Sequence, residues 1–183
     1  ALSPDHPDAL SAEARLAVWR RRPARAVELL APIVASPAAS GPVLSQYGRA
    51  LLQSQRPSDA FAAFERAGEL GYAERFLASD KTRALNELGR LDEAEAYARA
   101  QLEDAPSWNL WRMLAWTLRL RERSEEALQA STQAMALAPQ NALVLRDHAL
   151  HLHEVGRREE ASRTLDRYEA LARSPFERAE AVI

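Results

Sequence analysis

Residues 108–139, WNLWRMLAWTLRLRERSEEALQASTQAMALAP, decide the fold. Trp111, Leu114, Ala115 and Leu118 fall at i, i+3, i+4 and i+7, one face of an amphipathic helix. Ala127, Ala134 and Met135 belong to the buried side of a second helix. Between the two, RLRERSEE supplies a polar turn, and Ala138-Pro139-Gln140 ends the unit, because a proline opposes continuation of the helix before it. Two short amphipathic helices joined by a tight turn cannot bury their apolar faces alone. They need neighbours of the same kind.

The neighbours are visible as a period. Taking Ala127 as the marker, equivalent alanines stand at Ala26, Ala60, Ala94 and Ala161, separated by steps of 34, 34, 33 and 34 residues. A period of this length with two helices per unit resembles the tetratricopeptide repeat (TPR) family, whose loose pattern is Trp, Leu, Gly, Tyr, Ala, Phe, Ala, Pro. Trp111, Leu114, Ala115, Leu118, Ala127, Ala134 and Pro139 occupy seven of the eight places, and Ser131 stands where Phe is usual. The unit Gly41–Tyr72 matches through Tyr47, Gly48, Leu51, Ala60, Phe64 and Ala67. The resemblance covers almost the whole chain. It implies an all-α fold, a right-handed α-solenoid forming a single array. Its five antiparallel helix pairs are expected over residues 7–38, 41–72, 75–106, 108–139 and 142–173, with a capping helix over 175–183.

Composition narrows the function classes. The chain of 183 residues has a formal net charge of −2 and a pI near 6.1, which argues against a general nucleic-acid binder. No run of about 18 apolar residues is present, so no membrane span is expected. With no cysteine there is no disulfide framework, thiolate zinc site or cysteine nucleophile, a usage compatible with cytoplasm and periplasm alike; cytoplasm is slightly favoured. Of 24 basic residues all but Lys81 are arginine, as GC-rich coding in a bacterium would give, although planar bidentate contacts would favour the same choice. The chain does not begin with Met and ends on Val182-Ile183, so a piece of a longer protein is expected.

Along the chain, Asp5 or His6 is placed to cap a first helix with Pro7 in its first turn, and Leu10, Ala14 and Ala17 face inward. Ala26, Leu29, Leu30 and Ile33 do the same on its partner helix. The small residue at the eighth place of each repeat and the alanine at the twentieth have one task. They sit where the two helices cross, letting the axes approach to the short end of the roughly 8–10 Å range. The third repeat is the least typical, with Lys81 where Leu is usual, and a locally reangled helix with the lysine ammonium left wet is expected there. Phe176, Ala179 and Ile183 at helical spacing would cover the apolar flank of the last repeat.

Catalytic chemistry finds no support. His148 and His151 are helical neighbours, but His153 lies well round from His148 and no acid completes a metal-ligand spacing, so His148 reads as a hydrogen-bonded core histidine. The pairs Glu125-Glu126 and Glu159-Glu160 open helices, where they favour the positive end of the dipole. Gly-rich phosphate loops, HExxH and GxSxG are absent, and no cofactor or metal is implied.

The TPR resemblance implies a groove lined by the first helix of each repeat, with side chains at the second, fifth, ninth, twelfth and thirteenth places pointing into it. Carried over, these places give Arg15, Trp19, Arg49, Gln53, Arg83, Asn86, Arg112, Trp116 and Arg119 as partner-binding residues. Arg15, Arg49 and Arg83 recur one repeat apart and would form a ladder suited to an acidic, extended protein segment or peptide. The competing reading is that these arginines are solvated or paired with Glu87 and the acids of adjacent helices. Family members that clamp the acidic carboxyl-terminal tail of chaperones use cationic and amide residues at places filled here by Ser11, Arg15, Gln46, Phe76 and Asp80. Only Arg15 has the right sign, so that use is set aside.

Three functions follow from the resemblance. The first is a non-catalytic protein–protein interaction scaffold gripping a partner segment in the groove. The second is the recognition arm of a larger bacterial enzyme such as a sulfotransferase, glycosyltransferase or hydroxylase. The third is a self-assembly module in which one chain's terminal helix docks into the next chain's groove.

Overall fold

The computed structural model describes residues 6–37 and 39–180, apart from the side chains of 172–180. Among the described residues it is all-helical, with ten α-helices in two runs of five, each helix packed on the next within its run. They are α1 (Pro7–Trp19), α2 (Pro23–Val34), α3 (Gly41–Gln53), α4 (Pro57–Glu69), α5 (Ala78–Glu87), α6 (Leu91–Asp104), α7 (Trp108–Leu120), α8 (Ser124–Leu137), α9 (Ala142–Glu154) and α10 (Arg158–Glu180). The chain divides between Arg90 and Leu91 into two compact units, α1–α5 and α6–α10.

Local chemistry sets the helix starts. His6 caps α1, its Nδ1 accepting from the Asp8 N–H at 3.3 Å, and Pro7 follows in the first turn; Asp5 lies outside the described residues. Ser107 caps α7 through the Leu110 N–H, and Asn141 caps α9 through the N–H groups of Leu143 and Val144.

The small residues do sit at the crossings. Ala14, Thr82, Ala115 and Ala149 are buried on the first helices of their pairs, and Ala26, Ala60, Ala94, Ala127 and Ala161 on the second. At the eighth place of the second pair, a Cβ on Gly48 would overlap the ring of Phe64, itself fully buried in the core that Leu44, Leu51 and Leu77 complete. In the second unit Leu110, Leu114, Leu118, Leu128, Val144, Leu145 and Leu152 fill the equivalent space.

The turn inside each pair repeats as faithfully. Arg21, Gln55, Gly89, Glu122 and Gly156 all adopt a left-handed φ of 57° to 84°, one per pair. Glycine takes that conformation freely, whereas the other three residues adopt it at some cost.

Two expectations differ from the structure. Lys81 does not hold its ammonium in water: its side chain is 8% exposed, and Nζ lies 2.6 Å from Glu65 and 2.8 Å from Glu74. Burial alone would lower its pKa, but the two glutamates outweigh it and raise the value, so the charge is kept. The segment ahead of α5 is correspondingly a 3-10 turn, Glu74–Phe76, which carries one of those glutamates. At the other end, α10 runs unbroken from Arg158 to Glu180 where a separate capping helix over 175–183 was expected. The Phe176 and Ala179 side chains and residue Ile183 lie outside the described residues.

Candidate partner-binding surface

In the first unit, α1 and α3 lie side by side and enclose a concavity of about 530 Å3. Arg15 and Val18 from α1 and Val43, Arg49 and Gln53 from α3 line it, with Asp8 and Ser11 toward the start of α1. Three of the residues expected from sequence therefore share one surface. Trp19, 79% exposed, follows Arg15 by four residues and so stands beside it on the helix.

The guanidinium groups are not equivalent. Arg49 Nε donates to Asp80 Oδ2 at 2.6 Å, and its Nη2 reaches the Phe76 carbonyl at 3.4 Å. Arg83 Nε donates to Glu87 Oε1 at 2.8 Å, one turn along its own helix. Arg15 makes no ion pair among the described residues. The reason lies on α3: where Asp80 meets Arg49 from the next helix, the same place one repeat earlier is Gln46, and its Nε2 donates to the Ser11 carbonyl at 2.8 Å. An amide at that place offers Arg15 no charge. Asn86 corrects an expectation, since it is buried on α5 and is not offered to a ligand.

In the second unit, α7 presents Arg112, Trp116 and Arg119, and α9 answers the arginines. Arg112 Nη1 donates to Asp147 Oδ2 at 2.9 Å, while its Nη2 and Nε reach the Asn109 side-chain oxygen. Arg119 Nη1 lies 3.3 Å from Glu154 Oε1. Trp116, between them, is half-buried. These arginines tie two helices together.

A second arginine series escaped the sequence reading although it keeps the same step: Arg22, Arg56, Arg90, Arg123 and Arg157, one just before each second helix. Arg56 donates to Asp59, Arg123 to Glu126 and Arg157 to Glu160, each acid three residues on. Those hydrogen bonds are the first cause holding the Glu126 and Glu160 carboxyls below their ordinary pKa. Glu126 and Glu160 thus answer an arginine as well as the helix dipole. Glu95 goes further, with Oε2 accepting from Arg121 and Arg123, both at 2.6 Å, and Oε1 from Arg99 at 2.9 Å.

No protein-family model matches the chain, and no curated protein matches it in sequence. Solved structures do. A MamA double mutant (RS-1 ArsTM) superposes with a TM-score of 0.67 at 17% identity, covering 96% of this chain and 98% of that one. The chain has a MamA-like fold. MamA from residue 41 to its end, from Desulfovibrio magneticus RS-1, gives 0.67 at 17% identity over 95% and 98% of the two chains. A further MamA crystal structure gives 0.65 at 11% identity over 90% and 96%. At such identities the likeness is one of fold, a TPR-like all-helical repeat, and carries no residue-level role.

Two of the histidines, His148 and His151, are held within the chain's own packing. His148 Nδ1 is 2.8 Å from Ser131 Oγ, which explains the Ser where the repeat pattern has Phe: the hydroxyl receives a polar group from the following helix. His151 is 3% exposed, its Nδ1 3.6 Å from Glu154 and without a hydrogen bond. Burial is the first cause lowering both pKa values. Among the described residues no cluster of three or more His, Asp or Glu could hold a metal, and no helix is long and apolar enough to cross a membrane.

Proposed function

We propose that this chain is a non-catalytic TPR-type interaction module. The α1/α3 surface of its first unit grips an extended partner segment through Arg15 and Trp19, with Arg49 and Gln53 lining the seat. The observation that carries the reading is the contrast at the ninth repeat place: Arg49 is bound by Asp80, and Arg15, on the same concavity, makes no ion pair among the described residues. A guanidinium with open donor pairs beside an exposed tryptophan suits a partner carboxylate followed by an apolar or aromatic residue. The helix-pair repeat supports a binding role, since stacked pairs build a surface without a catalytic centre. Arg83, Arg112 and Arg119, each held by a carboxylate of its own unit, are not part of that seat.

The test is an array of extended peptides pairing one Asp or Glu with a nearby Phe, Leu or Trp, probed with the full chain and with Arg15→Glu. Peptides held by the parent should lose about tenfold or more in affinity to the variant. An identical binding profile for both proteins would remove the α1/α3 reading.

A further inference from the structure

The second helices α4, α6, α8 and α10 each open with at least one acid in the first turn, and α2 opens with none. The arginine just before α4, α8 and α10 donates to the acid three residues on. Three residues on from Arg22 stands Arg25, itself shared between Glu13 and Glu28. Between those two glutamates, residues 14–27 hold five arginines and no acid. Arg20, Arg21 and Arg22 are exposed and make no ion pair among the described residues. Three adjacent cations repel one another, and a partner of opposite charge relieves that repulsion.

The exposure of this turn does not come from its place in the first helix pair. In α3/α4, packed by α2 on one side and α5 on the other, Gln55 and Arg56 of the equivalent turn are exposed. Glu122 is exposed likewise in α7/α8, between α6 and α9. The turns lie along an edge that stacking leaves open. The α1/α3 concavity runs out to that edge, since Val18 and Gln53, at the ends of their helices, line it, while Asp8 lines the opposite end. Trp19, the last residue of α1, joins Val18 to the arginine turn. Arg15 and Arg20 are five residues apart, roughly 8 Å along a helix axis. An extended segment spans that distance in about two or three residues.

We propose that the partner segment held on α1/α3 carries a run of acids beyond its apolar residue, and that Arg20, Arg21 and Arg22 receive the run. One acid meets Arg15, the apolar or aromatic residue lies on Trp19, and the consecutive acids lie on the turn, away from Asp8. The inference rests on the peptide-binding reading above and adds the polarity of the segment and its acidic class. Residues 1–183 contain no three consecutive acids, so a second copy of them does not supply the run.

The probes are fluorescein-labelled Asp-Gly-Phe-Glu-Glu-Glu and the same residues in reverse order, each beside a form with Gln for every Glu, titrated by anisotropy against the full 183-residue chain. In one of the two orders the Glu form should bind about tenfold or more tightly than the Gln form, and the advantage should shrink as salt is raised. Arg20→Glu with Arg22→Glu should reverse the preference and favour a form with Lys for every Glu, an outcome that unfolding cannot produce, and should melt close to the parent. Glu and Gln forms held equally by the parent and lost together in Arg15→Glu would overturn the acid run and leave the α1/α3 seat standing. Neither form held, or both held unchanged by Arg15→Glu, would overturn the two together. A double variant that still prefers the Glu form would also overturn the proposal. So would Arg20- and Arg22-dependent binding of phosphatidylserine vesicles with no gain from the Glu run, because the occupant of the turn would then be a membrane surface.

Discussion

The helices α1 and α7 both place arginines on the face turned toward the following first helix, to opposite effect. On α7, Arg112 and Arg119 are each met by a carboxylate of α9. On α1, Arg15 faces α3, whose Gln46 has spent its amide on a backbone carbonyl. A guanidinium on these first helices is left open or made a cross-tie according to one residue about a repeat away. The sixth place of the following repeat supplies the contact at three joints: Gln46 holds Ser11, Asp80 holds Arg49 and Asp147 holds Arg112. Most of the arginines described are joinery.

If that division is right, removing a joint's acid should cost the most. Glu95, 8% exposed and holding three guanidinium groups, is the clearest case. Glu95→Ala leaves those cations facing one another and should cost about 2–3 kcal/mol, below the usual penalty for a broken buried pair because Asp92 and Glu126 remain. Urea denaturation followed by circular dichroism measures it, and a midpoint equal to the parent's would mean that these arginines are not structural. Acid should weaken the α7/α8–α9 joint by another route. His148 and His151 have folded pKa values below the unfolded value of about 6.5, so the unfolded chain takes up protons first. Their contribution is complete above that pH and is lost as pH falls through the folded values. The urea midpoint should drop between pH 7.5 and 5.5, where the carboxylates stay charged, and the drop should shrink in His148→Leu.

The fold was legible because it is written in local chemistry. Crossing alanines at a fixed step, prolines near helix starts and a small eighth residue each act within one helix pair. The left-handed turn was half legible: glycine marks it at Gly89 and Gly156, but Arg21, Gln55 and Glu122 conceal it. Lys81 was misread because its two glutamates come from α4 and the 3-10 turn, which the apolar pattern does not report. The site was less legible still. Arg49 and Arg15 occupy the same repeat place, and only the partner at residue 80 or 46 separates them. The pre-helix arginine series keeps the 33–34-residue step of the crossing alanines and is legible by it, although it carries no apolar or small-residue signal.

A smaller effect separates the two classes of arginine directly. Arg112→Ala removes one of the two arginine ties from α7 to α9 but leaves Asp147 with Arg146, and should cost about 1 kcal/mol. Arg15→Ala should stay within about 0.5 kcal/mol, as for a solvated side chain. Equal losses in thermal melts would erase the distinction.

The smallest structural change carries the sharpest information. Gln46→Asp installs at α3 the residue type that binds Arg49 from α5. It removes the hydrogen bond to the Ser11 carbonyl and offers Arg15 a carboxylate from the side on which it now has none. The exchange of one bond for an exposed ion pair should leave stability within about 0.5 kcal/mol. Binding should respond much more, because the guanidinium reserved for the partner would be satisfied within the chain: acidic peptides retained by the parent should be lost by Gln46→Asp about as fully as by Arg15→Glu. Adding Arg15→Ala to Gln46→Asp should then weaken binding no further. If Gln46→Asp instead binds those peptides like the parent, Arg15 is not their anchor, and the open guanidinium on α1 is only a solvated end of the repeat.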